Sequence, residues 1–187
     1  MKKQIFNYRQ AAVCCHGFTL LEVLVTLIVL SVGLLSLAGL QVVGLRTSHS
    51  AYMRTQATIQ SYDLIDRMRA NISGVQAGDY HKPIKADSAG DVKVNCKATQ
   101  GCGAQDMALN DLYEWNTAIA DILPNGVGIV CIDGTPEDDP VATSADAKCD
   151  NAGVGNPRSA LYVIKIWWND DNSNPDSVQL FTTSFRP

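Results

Sequence analysis

Glu22 is the one carboxylate inside an otherwise apolar stretch, FTLLEVLVTLIVLSVGLL, that begins at Phe18. An acid in hydrocarbon is costly unless a cation compensates it, so its presence marks a functional position. Its available chemistry is charge pairing. Four cysteines, Cys96, Cys102, Cys131 and Cys149, lie well beyond this run, and Cys14 and Cys15 precede it. An exported domain with four cysteines reads as two disulfides, for which three pairings exist. Sequence proximity favours Cys96 with Cys102 and Cys131 with Cys149.

Other chemistry is sparse. The chain has no H-E-x-x-H, no G-x-S-x-G and no P-loop, so no catalytic residue is assigned and no cofactor is expected. Cys14-Cys15-His16 lacks the spacing of a haem attachment site, and His49 and His81 have no cysteines at ligand spacing, so no metal site is assigned. Asp170, Asn172 and Asn174 alternate like the start of a calcium loop. Pro175 stands where that loop needs Gly, and Phe181 where it needs Glu, so the stretch reads as a solvated hairpin turn. The 187 residues carry a formal net charge of −4, and no basic patch points to nucleic acid.

Glu22 must be positioned by a helix. Val23 to Leu45 is free of charge and Arg46 closes the run; as a helix it spans ~30–35 Å, about a bilayer core. Lys2, Lys3 and Arg9 form a basic leader that stays cytoplasmic while the rest is exported. A plain anchor and an ordinary signal peptide cut after Ser36-Leu37-Ala38 both fit the apolar run, but neither explains Glu22. Residues 46–72 lack Pro and Gly and carry Tyr62, Ile65, Met68 and Ile72 at helical spacing, with Asp63 and Arg67 as an exposed i,i+4 pair. The spacing predicts one helix from about Thr19 to Ile72, stopped by Gly74. Gly33, Gly39 and Gly44 soften its first half.

Beyond it, residues 74–105 read as loop with a short strand near Val92–Val94. Asp106 caps a second helix with Leu109, Leu112, Trp115, Ile119 and Ile122 on one face, ended by Pro124-Asn125-Gly126. Strands are expected at 126–132, 161–168 and 177–185. The adjacent Trp167 and Trp168 point to opposite faces, and both read as core. The fold class is α+β: a long N-terminal helix, membrane-spanning in its first half, with an antiparallel sheet packed on its C-terminal half.

The basic leader, Gly17, Phe18-Thr19-Leu20-Leu21-Glu22-Val23 and the apolar run together resemble the type IV pilin signal. Downstream, SAYMRTQATIQSYDLIDRMRAN, LPNGVG and VIKIWWND resemble PilV-type minor pilins. The resemblance implies cleavage after Gly17 and N-methylation of Phe18 by a prepilin peptidase/N-methyltransferase. It divides the chain into a cleaved leader (1–17), a transmembrane and polymerisation helix (18–45) and a periplasmic globular domain with the helix's second half (46–187). Glu22 then meets the new amine of Phe18 on a neighbouring subunit, an assembly role. The implied partners are the inner membrane, other minor pilins, the major pilin and a tip adhesin, and the implied task is priming of a pilus. Gly39 stands where many major pilins carry Pro. The alternatives are a minor pseudopilin of a type II secretion system and a periplasmic binding domain on an anchor.

Overall fold

The computed structural model describes residues 17, 19–82, 94–136, 142–170, 174 and 177–187. The chain divides into two units that meet between Arg46 and Thr47. Helix α1 (Leu20–Ala70) belongs to both. In the first unit it runs through Gly33, Gly39 and Gly44, and every residue from Leu20 to Arg46 is exposed. The serine and threonine hydroxyls there turn back onto their own helix: Thr26 donates to the Val23 carbonyl at 2.8 Å, Ser31 to Ile28 at 2.8 Å and Ser36 to Val32 at 3.0 Å. These hydroxyls therefore need no water, which suits an apolar surrounding.

The second unit has a different logic. Here α1 buries Met53, Ala57, Ser61, Leu64, Ile65 and Met68. The expected stripe is out of phase at both ends, since Tyr62 and Ile72 are exposed. Small residues, Ala57 and Ser61, continue the buried line instead. The stop also differs. Asn71 leaves helical geometry and caps a short α2 (Ile72–Ala77), its side chain accepting from the Gly74 N–H. Gly74 is therefore inside a helix, and the chain turns at Gly78, whose φ of 82° favours glycine.

The expected strand near Val92–Val94 lies partly outside the described residues; its described end, Val94–Lys97, is a 3-10 turn. Helix α3 (Ala104–Ile122) follows, with extended Gly103 as its cap. Asp106 is not the cap. It sits in the first turn, where a carboxylate suits the helix dipole. Leu112, Trp115 and Ile119 are buried as expected, Leu109 is half-buried, and Leu123 replaces the exposed Ile122 as the last core residue.

Strands β1 (Val127–Ile132), β2 (Tyr162–Asn169) and β3 (Val178–Phe185) form one antiparallel sheet in the order β1-β2-β3. Ile132 faces Tyr162, and Tyr162 faces Phe185. One sheet face supplies Val130, Ile132, Tyr162, Ile164, Ile166, Trp168 and Phe185 to the core shared with α1 and α3. The other carries Ile129 and Trp167, covered by Ala142 and Ala147. Both tryptophans are core, one on each side. The outer edge of β1 is occupied by the segment after α2: the Lys82 N–H donates to the Val130 carbonyl at 2.8 Å, and the Ile132 N–H donates to His81 Nδ1 at 3.0 Å.

Close approach of α3 to the sheet depends on Gly128. A side chain there would occupy the space of the Trp115 ring and come within 2.7 Å of Ile119 Cδ1. Asn116 Oδ1 accepts the Gly128 N–H at 3.0 Å. Gly128→Ala is expected to destabilise the domain by ~1–3 kcal/mol, the usual cost of overpacking a core. Thermal unfolding of the full chain in detergent measures it; an unchanged midpoint would mean α3 can shift freely on β1.

Candidate assembly site

The N-terminal site begins with Gly17, which is exposed and has nothing near the position of an added Cβ. Phe18 and the leader residues 1–16 lie outside the described residues. Thr19 then opens α1. Its hydroxyl accepts the Glu22 N–H at 3.2 Å, and its carbonyl accepts those of Glu22 and Val23 at 3.1 and 3.2 Å. Thr19 and Glu22 thus hold the capping-box spacing, and the Glu22 carboxylate sits at the positive end of the helix dipole. Glu22 is exposed, as is every apolar residue that follows up to Leu45. This apolar stretch is long enough to cross a membrane, and none of it is buried among the described residues. The structure thus presents a helix end bearing one acid, followed by apolar surface on every side.

In the second unit the cysteines pair as Cys96–Cys102, with Cα atoms 4.6 Å apart, and Cys131–Cys149, with Cα atoms 6.3 Å apart. The second bridge joins β1 to the long excursion between β1 and β2. Two further ties hold that excursion to the sheet. Lys165 Nζ, buried in β2, meets Asp133 Oδ2 at 2.8 Å and donates to the Ala147 carbonyl at 2.8 Å. Trp167 Nε1 donates to the Ala142 carbonyl at 3.1 Å. Cys131, Asp133 and Cys149 lie close enough together to suggest a cation site. Both sulfurs are in the disulfide and the carboxylate holds Lys165, so the group offers no free ligand set. Of the calcium-like alternation, Asn172 and Pro175 lie outside the described residues.

A second cluster joins α1 to α3. Arg67 pairs with Asp63 at 2.9 Å, as its spacing predicts, and also reaches Glu114 at 3.1 Å and Asp111 at 3.5 Å. The Tyr80 hydroxyl donates to Asp111 at 2.5 Å. Burial pushes the Asp111 carboxyl and the Tyr80 hydroxyl upward. The Lys97 hydrogen bond, aided by Arg67 and Asn110, holds Glu114 down at about 2. A cavity of about 330 Å³ opens beside this cluster, lined by Arg67, Asn71, Ser73, Cys102, Met107 and Asp111. These charges brace the helices. Only the Asp63–Arg67 spacing announces them in the sequence.

The chain thus combines an exposed apolar helix that has an acid in its first turn with a disulfide-braced α+β domain. Comparison with known proteins supplies the class. Residues 14–38 match the prokaryotic N-terminal methylation motif, and residues 39–113 match the family of the type IV pilin Tt1218. The two matches together support a type IV pilin, a structural subunit of the pilin or pseudopilin kind. The motif implies processing by a prepilin peptidase and assembly with other pilins. No curated protein and no solved structure gives a match.

The Glu114 contacts carry a pH dependence. Its folded pKa is depressed, so its stabilisation is full above the unfolded value near 4.5 and is lost as pH falls toward about 2. Glu114→Gln is expected to cost ~1 kcal/mol at neutral pH, since the site is partly screened by solvent. The difference from the native chain should shrink progressively below about pH 4. Denaturant unfolding at both pH values checks this; a difference that stays constant would assign the loss to packing.

Proposed function

We propose that the protein is a minor pilin of a type IV pilus, of the PilV type, acting in priming of assembly with a place at the pilus tip. The observation that carries the reading is the apolar half of α1, exposed on every side and headed by Glu22 inside the methylation motif. Cleavage falls between Gly17 and Phe18, and Phe18 receives the methyl group. Lys2, Lys3 and Arg9 leave with the leader, along with Cys14 and Cys15. The mature chain sits in the inner membrane with its disulfide-bonded domain in the periplasm, an oxidising compartment that suits both bridges. Within the fibre, the apolar half of α1 exchanges lipid for the helices of neighbouring major and minor pilins. Glu22 meets the Phe18 amine of a neighbour, which removes the cost of an uncompensated charge.

N-terminal mass spectrometry tests the processing. A methylated Phe18 is expected; a chain beginning at Gly39 would indicate an ordinary signal peptide, and one beginning at Met1 an uncut anchor. Two substitutions separate processing from assembly. Gly17→Leu should leave a longer, uncut chain in the inner membrane that never enters fibres. Glu22→Ala should be cut normally and remain in the membrane, yet be recovered several-fold less in sheared pili, with Glu22→Asp intermediate. Immunoblots of membranes and sheared pili read both. Undiminished recovery of Glu22→Ala in pili would remove the pairing role. Recovery in the filament of a type II secretion machine instead would make the chain a pseudopilin.

A further inference from the structure

At its Val130–Ile132 end, the outer edge of β1 is closed by two hydrogen bonds of unlike kind. One is an ordinary strand contact, from the Lys82 N–H to the Val130 carbonyl at 2.8 Å. The other uses a side chain where a second carbonyl would stand: His81 Nδ1 accepts the Ile132 N–H at 3.0 Å. Only a neutral imidazole has a lone pair on that nitrogen. An imidazolium carries N–H on both nitrogens, so protonation replaces an attraction by two opposed donors.

We propose that His81 is a proton-operated latch on the edge of β1: neutral, it closes the edge, and protonated, it releases residues 81–82 and opens the edge. The anchor on which the latch turns is Tyr80. Its ring is fully buried and its hydroxyl is held by Asp111, so the release stops there. What is uncovered is the Ile132 N–H and the Val130 carbonyl, both pointing out of an edge. Unpaired edge groups of that kind are templates for an added strand.

The surroundings favour the neutral form. Burial is the larger cause, and the neighbouring Lys82 charge adds to it. Asp79 lies on the same segment and forms no ion pair with His81. From β1 the imidazole faces Ile132, which Asp133 follows. That carboxylate is taken by Lys165 Nζ at 2.8 Å and by the Thr135 N–H at 3.1 Å. From β2, Tyr162 lies opposite Ile132, and its hydroxyl donates to the Val75 carbonyl at 2.8 Å. Among the described residues, no carboxylate stabilises an imidazolium at this position. Because the folded form resists protonation, the stabilisation is full above the unfolded value near 6.5 and is lost as pH falls below it. An exported domain, as in the proposed function, meets such acid from its surroundings; the titration itself does not depend on that reading.

Hydrogen exchange of the full chain in detergent tests the latch, with rates corrected for intrinsic pH dependence. Protection at residues 130–132 should fall roughly tenfold between about pH 7.5 and about pH 5, the scale of one net hydrogen bond. His81→Asn places an amide oxygen where Nδ1 stood and does not titrate, so its protection should stay level across that range. His81→Ala should be weakly protected throughout. Nitrogen-15 spectra of histidine-labelled native chain give the imidazole titration directly, and its midpoint should match the loss of Ile132 protection. A native profile equal to that of His81→Asn overturns the proposal. So does an imidazole that titrates with the Ile132 amide still protected, which decides the matter even if a variant fails to fold.

Discussion

Trp115 holds the globular unit together. Its indole is fully buried, its N–H donates to the Gln60 carbonyl of α1 at 2.9 Å, and its ring fills the space left by the missing side chain of Gly128 in β1. One residue of α3 therefore joins the long helix to the sheet. An aromatic ring of that size supplies a large apolar contact, and its N–H needs a partner once buried. Gln60 is a helix residue whose carbonyl accepts from outside the helix, which fixes where α3 lies along α1. The remaining core follows from that placement: Ala57, Leu64 and Met68 below, and Val130, Ile164 and Ile166 on the sheet.

The two units solve opposite problems with one continuous helix. In the second, α1 needs a single buried line, and small residues keep that line narrow. In the first, α1 is apolar all round, and among the described residues nothing covers it. A helix of that kind is stable only in lipid or among other helices. Its hydroxyls are already satisfied by its own carbonyls, so moving from lipid to protein neighbours leaves those groups undisturbed. Under the proposed function, that neutrality is what a subunit stored in a membrane and later drawn into a fibre requires.

How much of this is legible in the sequence follows from how local each signal is. The N-terminal motif is a contiguous string, so Gly17, Phe18 and Glu22 are found without a structure. The three strands fall within about one residue of their expected limits, because β-branched runs bounded by turn residues mark them strongly. The phase of α1 was harder. Apolar periodicity notices large residues such as Tyr62 and Ile72, whereas the buried line runs through Ala57 and Ser61. Gly74 reads as a stop in the sequence, but the Asn71 side chain caps the turn that contains it and moves the stop to Gly78. Lys165, Asp133 and Asn116 carry no sequence signal at all. A buried lysine within a strand reads as an outward-facing residue until the loop that covers it is in place.

An acid in an otherwise apolar helix supplies a register that apolar contacts lack. Under the proposed function, neighbouring copies present one another with nearly uniform apolar surface. Leu, Val and Ile make similar contacts when one helix slides past another, so dispersion alone sets no register. A single buried polar group does, as in coiled coils, where it lowers stability and specifies alignment. Glu22 has that character: in any register but one it faces hydrocarbon without a cation. Thr19 supports the role from within. By capping the first turn through the Glu22 N–H, it fixes the helix start, and therefore the height at which the carboxylate is presented. The register mark works because the helix end beneath it is built to a fixed position.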